Sequence, residues 1–325
     1  MNVSIVTSSS SLPQLVEGSF FHSEELFRMM ELTPGMWPCM AVVCDDNGRV
    51  VSNMLACVRR RKSIFPLYIL SQGRIYGEGN YRSEITEPEK TPLFALMLDA
   101  AMKFMRRKHC FYIEVSDTSR KMFGYRNFRR LNFFPIPWMQ IHNSLHSKAP
   151  EERLSDKTIH RIQRSYKDGI ITREAAGTNE IHKLYRLFRA YFRFRKQRFI
   201  PDEKMFLLLG ESSNGHIYVT VYKDRIIGGS VVVDSQTDSM LWFDVSRKKS
   251  HPILHPHLLT VWHAIKETYQ RGQDHIHFLN VGLPFRHNRY RDFILRFGGK
   301  PVSSYRWFHF SFAPLNKLLS WIYRV

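Results

Sequence analysis

Apolar residues recur at helical spacing from Leu93 to Met105 and again through the segment His257 to Gln270. Each run leads into a short strand-like segment, Phe111-Tyr112-Ile113-Glu114-Val115 in the first case and His277-Phe278-Leu279-Asn280-Val281 in the second. Each strand is followed by a third matching block, Asn127 to Phe133 and Asp292 to Gly299, and the spacing from Glu114 to Asn132 equals that from Asn280 to Gly298, 18 positions. Upstream, Asp46-Asn47-Gly48-Arg49-Val50-Val51 and Lys223-Asp224-Arg225-Ile226-Ile227-Gly228 both read as a tight turn entering a strand. Two copies of one βαβ-containing unit are therefore predicted, an α/β chain with mixed sheets.

The remaining pattern fills in both copies. A Ser-rich lead, Ser8 to Ser11, precedes a helix over Glu24 to Leu32, and Met40 to Cys44 pairs with Val50 to Val58 around the Asp46-Asn47-Gly48 turn. Gly73 to Gly79 reads as a loop, and Trp138 to His142 as the strand closing the first unit. The charged, Pro-bounded stretch Ser147 to Asp156 is the expected boundary, placing domains at residues 1–148 and 149–312. In the second, helices over Lys157 to Asp168 and Asn179 to Lys196 precede strands at His216 to Tyr222, Ile226 to Val233 and Ser239 to Val245, and Tyr305 to Phe312 is the last strand. The tail, residues 313–325, is apolar on one face and carries Lys317 and Arg324; it is expected to pack on the first domain, with contact to a membrane surface as the other reading.

At 325 residues and 43% apolar content, the chain can build a core in each unit. The net charge of +19 implies a polyanionic partner: nucleic acid, an anionic membrane surface or a phosphorylated substrate. Cys39, Cys44, Cys57 and Cys110 lie in or beside apolar runs without CxxC spacing, which favours buried thiols over disulfides or zinc. No Lys or Arg precedes Arg28, and the longest apolar stretch is interrupted by Asp99 and Lys103, so neither a secretory leader nor a membrane span is expected. The expected setting is cytoplasmic, including a peripheral position at the inner membrane face.

Charge is concentrated on the second-half helices. His182, Arg186, Arg189, Arg193 and Lys196 recur every three or four residues on one face, while Ile181, Leu184, Phe188, Tyr191 and Phe192 supply the apolar side. Like charges stacked this way favour a phosphate-bearing ligand; Arg195 and Arg198 widen the basic end, and Arg161, Arg164 and Lys167 are expected to extend the same surface. The interleaved Tyr191-Phe192-Arg193-Phe194-Arg195 also suits stacking on unpaired tRNA bases. His251, His255 and His257 lie in a Pro-broken loop without a paired carboxylate, and no metal site is expected there.

The ordered set Arg225-Ile226-Ile227-Gly228-Gly229-Ser230, Leu241-Trp242-Phe243-Asp244, Phe278-Leu279-Asn280-Val281-Gly282 and Phe293 to Gly299 resembles the tandem-domain FemAB/FemX-like branch of the GNAT acyltransferase superfamily. The first half matches through Phe20-Phe21-His22-Ser23, Ile113-Glu114-Val115 and Phe128 to Phe133. The resemblance implies two GNAT folds with a cleft between them and transfer of an acyl or aminoacyl group to an amine of a large, often phosphate-bearing acceptor. Fem members take amino acids from aminoacyl-tRNA to extend peptidoglycan precursors, and in FemX-like relatives an Arg placed like Arg193 or Arg195 binds the acceptor's diphosphate. Two departures stand out. The Gly-rich turn that holds the CoA pyrophosphate is replaced by Lys248 to Pro256, interrupted by prolines, and the Lys that often follows the Phe equivalent to Phe293 is Ile294.

In this fold, splayed neighbouring strands supply a backbone N–H for the developing oxyanion, which places the reacting carbonyl along Leu241 to Ser246. Asp244 is then positioned to orient or deprotonate the amine and Tyr290 to protonate the leaving group; the plainer reading makes Asp244 a strand-end partner of Arg247 and Tyr290 a packing aromatic. The expected substrate-binding set is Arg161, Arg164, Arg189, Arg193, Arg195, Lys196, Trp242 and Asn280. The expected function is an acyl- or aminoacyltransferase acting on an amine of an anionic, cell-envelope-related acceptor, with aminoacyl-tRNA or acyl-CoA as donor. The alternatives are a CoA-dependent N-acyltransferase and a catalytically lapsed GNAT tandem that binds RNA or a membrane surface.

Overall fold

The computed structural model describes residues 1–61, 70–193, 199–247 and 250–323. These form two compact units, Met1–Trp138 with Ser303–Val325, and Met139–Val302. In chain order the first half contains β1 (Asn2–Val6), α1 (Glu24–Glu31), β2 (Met36–Cys44), β3 (Val50–Arg61), β4 (Leu70–Tyr76), β5 (Asn80–Tyr81), α2 (Glu87–Arg107), β6 (Tyr112–Ser116), α3 (Tyr125–Arg130) and β7 (Phe134–Ser144). The second half contains α4 (Asp156–Lys167), β8 (Ile170–Glu174), α5 (Thr178–Phe192), α6 (Glu203–Glu211), β9 (Gly215–Tyr222), β10 (Arg225–Ser235), β11 (Asp238–Ser246), α7 (Pro256–Gln270), β12 (His275–Phe278), α8 (Arg289–Ile294), β13 (Lys300–Phe310) and α9 (Ala313–Ile322).

In unit 1 the strands run β1-β2-β3-β4-β6-β13, with β5 beside β3. The β2–β3 hairpin forms where predicted, because the Asp45 carboxylate accepts the N–H of Asn47 at 3.0 Å and of Arg49 at 2.8 Å and so closes the turn. One face of α2, including Leu93, Phe94, Met97, Ala101 and Met105, packs into a core completed by Phe128 and Trp307, whose rings stack at 4.4 Å. The segment read as a Gly-rich loop is instead largely strand β4. Gly73 sits in it because α2 packs so close that a Cβ would lie 2.5 Å from Met105 Sδ. Cys39, Cys57 and Cys110 are buried free thiols and Cys44 is half-buried; burial pushes Cys57 and Cys110 up to about 12.

Unit 1 also buries a charged group. Glu114 of β6 contacts the guanidiniums of both Arg74 and Arg306, the latter at 3.1 Å, and Arg74 donates to Ser116 Oγ at 2.6 Å. The two guanidiniums lie over the rings of Tyr76 at 4.1 Å and Trp138 at 4.0 Å. Burial alone would raise the Glu114 carboxyl, but Arg74, Arg306 and Arg59 outweigh it and hold it at about 2.

In unit 2 the order is β7-β12-β11-β10-β9-β8. Gly228 and Gly229 of β10 mark the two sheet faces. A Cβ on Gly228 would meet Thr260 of α7 at 2.6 Å, and one on Gly229 would meet Leu184 of α5 at 2.6 Å, so α7 and α5 cover opposite faces. Gly229→Ala is expected to lower stability by about 1–3 kcal/mol through overpacking, read as a drop in urea midpoint. At the far end of β10, Asp234 binds Arg271 through both oxygens at 2.9 Å and also contacts His216 and Ser239.

The repeat is visible in the topology. β6 and β12 each follow the long helix, pair in parallel with a strand from before that helix (β4, with the two-residue β5 intervening in the chain, and β11), and meet an antiparallel strand on the other side. Glu114 lies within β6, whereas Asn280 lies two residues past the end of β12. The unit boundaries differ from the sequence expectation. The first falls at Trp138/Met139 inside β7 rather than in the Ser147–Asp156 stretch, because that strand runs unbroken through it. The chain from Ser303 belongs to unit 1, where β13 pairs with β6. The tail helix α9 is held there by Asn316, which donates to the Asn132 carbonyl at 2.9 Å and accepts the Phe310 N–H at 2.8 Å. Its Leu318, Trp321 and Ile322 are exposed, and no helix among the described residues is long and apolar enough to cross a membrane.

Candidate active site

The site grows from a short ladder. The parallel ladder of β11 with β12 covers Asp238–His275, Ser239–Ile276 and Met240–His277, and β11 runs on past it to Ser246. A register shift in the β10–β11 ladder pairs Val231 with Phe243 and Val232 with Leu241, which leaves Trp242 as the bulged residue. The segment named as the place of the reacting carbonyl, Leu241 to Ser246, is therefore both splayed from β12 and kinked.

Alternation along β11 then sets the side chains. Phe243 packs against Phe188 and Phe206 on the α5 face, so Asp244 points to the α7 face. There Tyr290 of α8 donates its phenolic hydrogen to Asp244 Oδ1 at 3.0 Å. The helix that carries Tyr290 starts at Asn288, whose side chain accepts the N–H groups of Tyr290 at 2.9 Å and Arg291 at 3.1 Å. Asp244 is buried and Tyr290 half-buried, so the pair combines a low-dielectric carboxylate with access from solvent. His257, in the first turn of α7, stacks on Phe293 at 4.1 Å and lies 6.0 Å from the Tyr290 ring. Sequence reasoning weighed His257 only as a metal ligand; its place beside Tyr290 depends on α8 folding back onto α7.

The other expected binding residues divide between the two faces. Arg161 and Arg164 of α4, with Lys157, His160, Ile253 and His255, line a groove of about 520 Å³ next to the start of α7. Arg189 and Arg193 are exposed at the end of α5, on the opposite face. The expected single basic surface is thus two, because α4 packs with α7 while α5 covers the other side of the sheet. His182 is engaged by Glu203, and Phe192 is buried against Phe188 rather than offered for stacking. Arg195 and Lys196 lie outside the described residues, as do Phe194, Arg198, Lys248 and Lys249. Asn280 is exposed past the end of β12, and Trp242 is buried at the bulge. Ile294 is fully buried in the unit 2 core, so no charge is carried at that position.

The start of α7 does not fit the pyrophosphate of CoA. Pro256 is the first helical residue and lacks an N–H, and the N–H groups of Leu258 and Leu259 bond the His255 carbonyl at 2.9 and 3.3 Å. His251, His255 and His257 do not converge. Among the described residues the one group with metal-ligand spacing is Asp238, His275 and His277.

The sequence profile of the acetyltransferase (GNAT) domain family matches residues 155–292. None of the curated protein sequences matches the chain. Among solved structures, FemX aligns with a TM-score of 0.62 at 11% identity, covering 98% of this chain and 100% of its own. The C-terminal domain of a putative lysylphosphatidylglycerol synthetase from Agrobacterium fabrum gives 0.57 at 11% identity, with 92% and 90% covered. A tandem GNAT protein from the clavulanic acid biosynthesis pathway gives 0.55 at 10% identity, with 95% and 98% covered. The chain therefore has the fold of the FemX-like tandem GNAT proteins, and its residues 155–292 match the GNAT family profile.

Proposed function

We propose that the protein transfers an aminoacyl or acyl group to an amine of an anionic, cell-envelope-related acceptor. The observation that carries this reading is the Asp244–Tyr290 pair, set in the splayed segment of β11 where a GNAT domain handles its carbonyl. The amine nitrogen attacks the acyl carbon, an N–C bond forms, and the bond from that carbon to the departing oxygen breaks. Asp244 takes the proton lost by the amine, Tyr290 gives its phenolic proton to the departing oxygen, and the proton on Asp244 passes back to Tyr290 across their 3.0 Å hydrogen bond. The resemblance to Fem members, which take amino acids from aminoacyl-tRNA, and the poor fit of α7 to CoA favour aminoacyl-tRNA as donor. The exposed Leu318, Trp321 and Ile322 beside Lys317 on α9 suit contact with an anionic membrane surface.

Loss of labelled amino acid from aminoacyl-tRNA in the presence of amine-bearing envelope precursors, measured beside CoA release from acetyl-CoA, tests the reading. Turnover of acetyl-CoA alone overturns the donor assignment, and turnover of neither overturns catalysis in favour of a binding role. The two basic surfaces should also separate by ligand. Arg161→Ala is expected to weaken a nucleotide-diphosphate ligand about ten- to hundredfold, the loss of one charge-assisted bond near the reacting pair. Arg193→Ala on the opposite face should instead weaken tRNA binding and lower its salt slope by about 1. Titrations of both variants at two salt concentrations distinguish them.

A further inference from the structure

We propose that Asp238, His275 and His277 form a binding site for a divalent transition metal, with Zn²⁺ as the best match, at the end of β11 remote from Asp244. His275 and His277 are two apart on β12 and so share a face; Ile276 and Phe278, on the other, enter the core. Parallel pairing sets Asp238 level with His275, and antiparallel pairing sets His142 of β7 opposite His277. Asp238 then meets both histidines through separate oxygens, Oδ1 at 2.9 Å from His275 Nδ1 and Oδ2 at 3.6 Å from His277 Nε2. One ligand atom from each of the three lies within 4.8 Å of the others, so a modest contraction brings all three onto one ion.

The donor set matches the ion. Two imidazoles and one carboxylate with a position left for water are a common zinc arrangement, and a hard oxygen-seeking cation would call for more carboxylates. The surroundings also hold the donors in place. The His142 ring stacks on His277 at 4.0 Å and 1°, and its Nε2 is within 3.0 Å of Gln140 Oε1, which fixes the face of the ring against which His277 rests. The three donors are half-buried, shielded enough to favour binding and open enough for an ion to enter.

The location assigns the role. Asp238 and Asp244 are six residues apart on one strand, roughly 20 Å, so an ion here does not touch the Asp244–Tyr290 pair. It bridges β11 and β12 at the first and third rungs of their three-rung ladder, at the closed end of the splay. The metal would act as a clasp on that ladder.

The experiment uses the full chain freed of metal with a chelator, then titrated calorimetrically with Zn²⁺ and, for its visible ligand-field absorption, with Co²⁺. Wild type is expected to bind one equivalent and to unfold at a higher temperature when loaded. His277→Ala and the nearly isosteric Asp238→Asn should each weaken binding by more than the roughly 10–100-fold typical of a supporting residue, with His142→Ala confined to that range. His287→Ala, an exposed histidine paired with Asp292, should leave binding unchanged. Absence of a stoichiometric site in wild type, or full retention of it in Asp238→Asn and His277→Ala, overturns the proposal. Should His277→Ala fail to fold, Asp238→Asn alone decides.

Discussion

Glu114→Gln is expected to destabilise unit 1 by about 3–5 kcal/mol, because it leaves two buried guanidiniums beside a neutral amide. Arg74, Glu114 and Arg306 are each under 10% exposed, so water cannot take over the lost charge. Thermal unfolding followed by near-ultraviolet circular dichroism of the aromatic core reads the effect. Removing the exposed Lys103–Asp99 pair by Lys103→Ala should change stability by less than about 1 kcal/mol. Adding Arg306→Met to Glu114→Gln should recover part of the loss, since it removes one of the two unmatched charges. A Glu114→Gln protein as stable as wild type would mean that the cluster contributes shape alone. The same carboxylate sets an acid limit. With its folded value near 2 against an ordinary 4.5, its contribution is complete above 4.5 and fades as pH falls toward 2.

The second large effect concerns catalysis. Once a donor and acceptor are in hand, Asp244→Asn and Tyr290→Phe should each lower kcat/KM by about 10²–10⁴, the range of a positioned proton-transfer group. The double variant should be no worse than the more damaged single, since the two side chains act through one hydrogen bond. A structural role predicts a different pattern. Tyr290→Phe would then cost about 1 kcal/mol of stability with activity intact. Additive losses in the double variant would separate the two residues into independent tasks.

The repeat was legible because helix, strand and third block carry the same apolar spacing in both halves, and packing of α2 and α7 rewards it directly. β4 was hidden by Gly73, whose role is a close approach by Met105 that only the folded unit reveals. The boundary at Trp138/Met139 has no punctuation because strand geometry continues through it. Asp244 and Tyr290 could each be named from position in the fold, but their meeting depends on α8, which Asn288 starts locally and the core places. The division of the arginines between two faces follows from Gly228 and Gly229 alternating sides, a distinction that helical periodicity cannot supply. The strand read from His277 onward begins instead at His275, and Asp238 lies 37 residues before His275 and is brought level only by strand register.

The completion of unit 1 by residues from Ser303 onward has a consequence for biosynthesis. Arg306 and Glu114 are 192 residues apart, so the closing strand of the first unit leaves the ribosome only after the whole second unit has been made. Until then β6 presents a bare edge and Glu114 has only one of its two close arginine contacts, a state in which unpaired strand is open to aggregation. Closure across so long a stretch of chain is slow relative to local hairpins such as β2–β3. A nascent chain therefore holds its first-synthesised unit unfinished while the whole second unit is made, until newly emerged β13 seals the β6 edge.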